Sequence, residues 1–168
     1  SMAKIADAID DGSRVLNFGY PSLTREVPEI ARQLSDALAV AREGRIDFVT
    51  HSMGAIVLRE LLANGPHHWR PGKSVGQVVM IAPPNAGSAT ARMVPVPDGG
   101  GAFGTVRRLA EAEPAPPWTG EAEGLTVIAG ARGRDIGFNP LLDGDDDGTV
   151  RVEETRIPGM DRHVLVGP

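Results

Sequence analysis

The stretch that decides the fold is residues 46–58, Ile46-Asp47-Phe48-Val49-Thr50-His51-Ser52-Met53-Gly54-Ala55-Ile56-Val57-Leu58. Residues 46–50 have the length and β-branched content of a buried strand, whereas the apolar residues from position 55 onward recur at helical spacing. Ser52 lies where the first pattern gives way to the second. A direct strand-to-helix turn forces this residue into a tight, strained conformation that holds its hydroxyl above the sheet edge, next to the helix N-terminus. A serine nucleophile needs this placement.

The turn at Ser52 departs in one position from the motif Gly-x-Ser-x-Gly, which is typical of serine nucleophiles at such turns. Thr50 replaces the first glycine, and Gly54 keeps the second. The first glycine gives the helix room to pass close to the turn, and a small hydroxyl residue such as Thr50 is expected to fit there. The alternative interpretation of Ser52 is a strand-to-helix turn without chemistry.

Composition limits the class of protein. The chain has 168 residues, of which 41% are hydrophobic and 23% charged, so we expect a single domain over 1–168 that buries roughly 70% of its unfolded surface. The net charge is −5 and no Lys/Arg cluster exceeds a pair, which gives nucleic acid or an anionic membrane no electrostatic basis as a partner. Cysteine is absent, which excludes disulfides and leaves the compartment open. No apolar stretch approaches 18 residues, so no membrane span is predicted.

Hydrophobic periodicity predicts alternating strands and helices along most of the chain. Helices are predicted over 2–11 and 28–44, and strands over 14–18, 46–50, 77–82, 125–130 and 163–166, with an acidic turn at 143–148 and an extended segment at 149–154. Between them lie a loop over 95–104, a short helix over 105–112 and a proline-rich connection over 113–118, to which we assign no function. The predicted strands are continuous apolar runs that alternate with helices. This pattern predicts an α/β fold with a mostly parallel sheet and helices on both faces.

Four segments, in order and spacing, resemble the α/β-hydrolases of the lipase and esterase type, specifically the bacterial lipase-like group. They are Phe18-Gly19-Tyr20-Pro21-Ser22, Phe48 to Gly54, Val79 to Ser88, and Asp146-Asp147-Gly148-Thr149-Val150 leading to Pro158-Gly159-Met160. The resemblance covers most of the chain from 14 to 163.

This resemblance implies a role for three residues. It makes Ser52 the nucleophile, the backbone N–H of Met53 one oxyanion donor and Asp147 the acid of a catalytic triad. The chemistry agrees, because a serine hydroxyl needs a base, the base needs an orienting carboxylate, and the charge on the attacked carbonyl needs preset donors. The implied reaction is cleavage of a small carboxylic ester through an acyl-enzyme on Ser52, with no cofactor and no metal.

Two parts of the family pattern fall outside the sequence. The family usually carries a strand ending in a His-Gly loop before the helix that matches 2–11, and a Ser-His pair a few residues beyond the histidine that matches His163. His163 is therefore the candidate base that follows Asp147, with a structural histidine as the favoured alternative. His51 directly precedes the nucleophile, but adjacent residues on a sharp turn point apart, so a role in lining the pocket is expected. The chain is expected to be a trimmed or short hydrolase; the alternative function is an impaired remnant that binds a small ligand or a partner.

The acidic segment 143–154 also matches the EF-hand pattern, with acids at positions 1, 3, 5 and 12 and glycine at position 6. An EF-hand needs a helix on each side of this loop. Here Gly137 and Asn139-Pro140 precede the segment, and 149–154 alternates like a strand. Calcium binding is therefore the lesser alternative to a hydrolase acid loop.

A sheet shortened at both ends would expose an unpaired strand edge along 14–18 and an apolar face over 163–166. We therefore expect self-association into a homo-oligomer. Light scattering that shows a clean monomer at tens of micromolar would count against this expectation.

Overall fold

Four strands and five helices have their bounds within the described part of the chain. The computed structural model describes residues 2–9, 12–22, 24–95, 109–110, 118 and 120–167. The strands are β1 (Arg45–His51), β2 (Ser74–Ile81), β3 (Gly124–Gly130) and β4 (Arg162–Val166). The helices are α1 (Met2–Ala8), α2 (Val27–Ala39), α3 (Met53–Asn64), α4 (Ala89–Met93) and α5 (Val152–Thr155).

The four strands form one parallel sheet in the order β1-β2-β3-β4. His51 at the end of β1 is level with Ile81 of β2, which is level with Ile128 of β3. The carboxyl ends of all four strands therefore meet at one edge, where ligands bind in open α/β sheets. The predicted α/β fold with a parallel sheet is confirmed.

The main hydrophobic core lies between this sheet and helices α2 and α3. Helix α3 buries one face, including Ala55, Leu58 and Leu61, against Phe48 of β1 and the apolar residues of β2 and β3. Trp69, which is 1% exposed, meets Phe48 edge to face with 6.4 Å between ring centroids. This packing fixes the direction in which α3 leaves the strand end, and with it the turn at Ser52.

The opposite face of the sheet is apolar and open. Val49, Val164 and Val166 on this face are 36%, 41% and 52% exposed, and no helix in the described ranges has extensive contact with it. The second helical layer of the sequence prediction is thus not seen in this part of the chain. The exposed apolar character predicted for 163–166 is confirmed for Val164 to Val166, whereas self-association stays a prediction.

One predicted strand and one predicted helix end near the N-terminus are wrong. Residues 14–18 form no strand, because residues 14–17 are exposed and no described strand lies beside them to pair with. The unpaired strand edge predicted there is therefore absent. Helix α2 ends at Ala39, before the predicted stop at Gly44, and Val40 beyond it is 79% exposed.

Helices α4 and α5 were not predicted. Residues 149–154 were expected to be extended, but α5 forms because the buried Glu154 carboxylate accepts a hydrogen bond from the N–H of Arg151 at 3.0 Å and so closes the first turn. Helix α4 begins after Ser88, whose hydroxyl accepts from the N–H of Ala91 at 3.2 Å. The elements predicted over 95–104, 105–112 and 113–118 lie almost entirely outside the described residues.

Candidate active site

Ser52 occupies the strained turn between β1 and α3. Its φ and ψ are 51° and −124°, a region that residues other than glycine occupy only at a cost of about 1–3 kcal/mol. The turn is held from both sides, since the Ser52 N–H donates to the Ile81 carbonyl at 2.9 Å and the Ser52 carbonyl accepts from Ala55 at 3.0 Å. The strained turn predicted from the sequence is present.

The hydroxyl of Ser52 is not used to cap α3. Serine at a helix N-cap normally accepts a hydrogen bond from the first turn, but the Ser52 side chain makes no such bond. No other hydrogen bond to this half-buried hydroxyl is present in the described ranges. The Ser52 oxygen therefore has no hydrogen-bond partner among the described residues.

Thr50, which replaces the first glycine of the motif, lies opposite Gly54. A Cβ built on Gly54 would lie 3.6 Å from the Cβ of Thr50 and 3.4 Å from the hydroxyl oxygen of Tyr20. Three groups therefore converge on the start of α3. The N–H of Met53, in the first position of this helix, has no acceptor within the helix and lies directly after Ser52.

Asp147 lies at the same edge of the sheet, beside the end of β3. A Cβ on Gly130, the last residue of β3, would stand only 2.6 Å from the Cβ of Asp147, so the absence of a side chain at Gly130 allows this approach. Asp147 Oδ1 accepts from the N–H groups of Thr149 at 2.9 Å and Val150 at 2.8 Å. Its Oδ2 has no hydrogen bond among the residues described and remains a free acceptor.

The neighbouring carboxylates hold the loop that carries Asp147. Asp146 is fully buried, and its Oδ1 accepts from Asn139 at 3.0 Å and Gly148 at 2.6 Å. Asp145 accepts from the N–H groups of Arg132 and Gly133 at 2.7 and 2.8 Å. Backbone hydrogen bonds, that from Arg132 first, lower the pKa of Asp145 below its ordinary value. These carboxylates act as acceptors for loop N–H groups.

The same loop lacks the geometry of an EF-hand. Residues 131–142 before it are not helical, and only the four-residue α5 begins within it. In the part of the chain that the structure describes, no group of three or more histidine, aspartate or glutamate side chains is placed to hold a metal ion. Asp145, Asp146 and Asp147 instead accept hydrogen bonds from backbone N–H groups of the turn.

Glu154 connects the segment that follows β2 to the acidic segment 143–154. It is 3% exposed, and its Oε1 accepts from the N–H of Ala89 at 2.7 Å and from Arg92 and Arg151 at 3.2 and 3.0 Å. The Thr90 hydroxyl donates to the Thr149 carbonyl at 2.6 Å. The pattern of residues 149–154 gave no signal for this network, because Arg92 is 62 residues away in sequence.

His163 is the second residue of β4 and lies level with Val127 of β3. Its Nε2 is 2.8 Å from the hydroxyl of Thr155. Val127 precedes Gly130 by about 10 Å along the strand, so the structure does not bring His163 to Asp147 at the strand end. No histidine in the described ranges hydrogen-bonds to Ser52 or Asp147, and His51, next to Ser52, is exposed.

The environment of His163 predicts a pH dependence of stability. Burial first, then the positive charge of Arg156, lowers the pKa of His163 below its ordinary value of about 6.5, with Glu153 opposing this. The unfolded chain therefore takes up the proton first, and stability present above about pH 6.5 is lost as pH falls through the folded-state pKa. Melting temperatures from pH 7.5 to 5 should fall more in the wild type than in His163→Gln, which retains a partner for Thr155. Equal pH profiles would contradict this.

A cavity of about 470 Å³ lies elsewhere, between the start of α2 and the end of α3. Its lining includes Glu26, Glu29, Arg32 and Glu60. Since α3 begins next to Ser52 and its 12 residues span about 18 Å, this charged groove is not part of the site at the strand ends.

None of the helices in the described ranges has the length and apolarity needed to cross a bilayer.

The chain is similar to one protein family and to solved structures of a phospholipase and a lipase. The profile of a family described as "Domain of unknown function (DUF7379)" matches residues 2–98, more than half of the chain. No curated protein matches. The phospholipase PlaB from Legionella pneumophila, in complex with thio-NAD, aligns with a TM-score of 0.60 and 20% identity over 83% of this chain and 35% of its own.

The mature lipase BlEst2 from Bacillus licheniformis aligns with a TM-score of 0.58 and 18% identity, over 84% of this chain and 67% of that lipase. A second structure of PlaB gives 0.52 and 20% identity, over 92% of this chain and 40% of its own. The chain thus spans about a third of the length of the phospholipase and about two thirds of the lipase. These similarities show an α/β-hydrolase-like fold.

Proposed function

The chain belongs to the family described as a domain of unknown function (DUF7379), and we propose that it is a serine hydrolase that cleaves carboxylic esters through an acyl-enzyme on Ser52. The observation that carries the proposal is the Ser52 backbone, at φ 51°, between a parallel strand and a helix. Strain at a non-glycine residue persists where surrounding structure enforces it, and it is concentrated at functional sites. The likeness to a lipase and a phospholipase in fold supports the same chemistry.

In the proposed mechanism, Ser52 Oγ attacks the ester carbonyl carbon and loses its proton to a general base. The carbonyl oxygen gains negative charge and accepts a hydrogen bond from the N–H of Met53, at the positive end of the α3 dipole. The alcohol then leaves with the proton, and water hydrolyses the acyl-enzyme by the reverse sequence.

Asp147 is the proposed acid that orients the base. Its Oδ1 is occupied by the N–H groups of Thr149 and Val150, which fixes the carboxylate and leaves Oδ2 to accept from an imidazole. The base must be a histidine that reaches both Asp147 Oδ2 and Ser52. In the described conformation His163 is bonded to Thr155 and lies level with Val127 rather than Gly130, so it does not reach Asp147.

Covalent labelling tests the proposal. A fluorophosphonate probe reacts with an activated serine and adds a defined mass, so we expect the adduct on the tryptic peptide that contains Ser52. The measurement is intact-mass and peptide-mapping mass spectrometry of folded protein, with a heat-denatured sample as control. A folded, unlabelled protein, or an adduct on another serine, would overturn the proposal.

A second candidate is a non-catalytic domain that binds a small acyl ligand. The observation in its favour is that no histidine hydrogen-bonds to Ser52 or Asp147 among the residues described. This candidate predicts that a short-chain ester raises the melting temperature with its concentration and is recovered intact. Ester turnover above buffer that is lost in Ser52→Ala would exclude it.

Gly130→Ala is expected to impair the proposed site without unfolding the protein. The new Cβ would overlap that of Asp147 at 2.6 Å, and displacing the acid by about 1 Å can cost about 100-fold in rate. Overpacking of this kind also lowers the free energy of unfolding by about 1–3 kcal/mol. Ester kcat/KM and urea denaturation measure the two effects.

Gly167→Ala is the matched control, because a Cβ there would meet only the Ala131 carbonyl at 3.5 Å, an ordinary contact. We expect its stability to stay within about 0.5 kcal/mol of the wild type. Equal kinetics in both variants would show that the contact between Gly130 and Asp147 does not position the acid.

A further inference from the structure

Tyr20 places a phenol at the start of α3. It belongs to the segment 12–22, which has no regular secondary structure. Its ring packs on the hydrophobic core beside Phe18, with centroids 5.8 Å apart. The hydroxyl oxygen lies 3.4 Å from the point where Gly54 would carry a Cβ. Gly54 is two residues after Ser52 and directly after Met53, so the phenol borders the turn that carries the candidate nucleophile.

The hydroxyl of Tyr20 has no partner for its proton among the described residues. No hydrogen bond to its hydroxyl is present in the described ranges, although the residue is half-buried, and most tyrosines that bury part of their ring find a partner for the O–H. Burial also raises the pKa of Tyr20 above its ordinary value, so the phenol keeps its proton at neutral and mildly alkaline pH. A protonated, anchored donor is thus held beside the helix N-terminus.

Resting on the proposed function, we propose that Tyr20 is a catalytic residue that donates a hydrogen bond to the oxyanion formed during attack by Ser52. The core-packed ring holds the hydroxyl beside Gly54, the residue that directly follows Met53. The phenol keeps its proton throughout, and no covalent bond to it forms or breaks. Such a preset donor stabilises charge that develops only in the transition state.

The chain has a single tyrosine, which allows a direct spectroscopic test. Uniform incorporation of 3-fluorotyrosine labels position 20 alone, and the ¹⁹F shift followed against pH gives the pKa of its phenol. Reaction with ethyl fluorophosphonate places a phosphonyl oxygen on Ser52 where the oxyanion would form. A phenol that donates to this oxygen is stabilised in its neutral form, so we expect its pKa to rise on formation of the adduct.

A merely structural tyrosine would not show this change. An adduct on Ser52 with an unchanged phenol pKa would overturn the role of Tyr20 and leave the hydrolase proposal standing. Absence of an adduct on folded protein would overturn the hydrolase proposal and the role of Tyr20 with it.

Kinetics provide the second readout. Loss of one oxyanion donor typically costs about 10²–10³ in kcat, so Tyr20→Phe should lower the labelling rate and the ester kcat by at least about tenfold with little change in KM. Ser22→Ala, which removes an exposed hydroxyl from the same loop, should leave both unchanged. Equal rates in Tyr20→Phe and the wild type would overturn the inference, as would a loss that appears only in KM.

Discussion

Ser52→Ala is expected to lower ester kcat/KM by at least about 10³-fold, because removal of a nucleophile leaves only the rate that binding and the oxyanion donor support. The variant should fold, since the hydroxyl makes no cap hydrogen bond and alanine occupies the positive φ at a similar cost. Hydrolysis of a p-nitrophenyl ester under saturating and limiting substrate measures kcat and kcat/KM. Turnover that survives the substitution would assign the activity to another residue.

Ser52→Gly separates the strain from the chemistry. Glycine adopts φ 51° and ψ −124° without the steric cost that serine bears, which is about 1–3 kcal/mol. Part of this gain is offset by the larger conformational entropy of glycine in the unfolded chain. We therefore expect an inactive protein with a melting temperature above that of Ser52→Ala. A melting temperature below that of Ser52→Ala would show that the turn at Ser52 is not under strain.

The turn at Ser52 could be predicted because its causes are local. The β-branched run of 46–50, the polar break and the helical spacing after position 55 lie within one short stretch, and neighbouring residues decide the outcome. The strand predicted at 14–18 failed for the opposite reason. Val15 and Leu16 have strand-like character, but a strand needs a neighbour, and both side chains are exposed, at 42% and 56%.

The acidic segment 143–154 shows more clearly which features local sequence cannot predict. Periodicity predicted β3, and the resemblance pointed to Asp147. The contact of Asp147 with Gly130 could not be predicted, because it joins residues 17 positions apart and does not affect the local sequence pattern. Residues 149–154 alternate like a strand, yet α5 forms there, because the Glu154 carboxylate closes its first turn and is itself bound by the distant Arg92 and Ala89. Contacts between residues distant in sequence contribute at both places.

Asp147→Asn is expected to lower kcat/KM by about 10³–10⁴-fold while leaving the loop folded. The amide oxygen can still accept from Thr149 and Val150, as Oδ1 does now at 2.9 and 2.8 Å, so the turn is kept. The group that changes is Oδ2, whose replacement by NH₂ turns an acceptor into a donor. A donor cannot accept the N–H of an imidazole, so the base is held in the wrong tautomer.

Asp143→Asn is the matched control for this prediction. It removes the same single charge from the same loop, but Asp143 is exposed, and no hydrogen bond or ion pair to its side chain is present in the described ranges. We expect its kcat/KM to remain within about twofold of the wild type, since surface changes away from the site have small effects. Equal losses in the two variants would indicate a response to net charge, and an unchanged Asp147→Asn would mean that another carboxylate orients the base. A loss confined to Asp147→Asn, with both melting temperatures unchanged, is the result that a catalytic acid at the end of β3 requires.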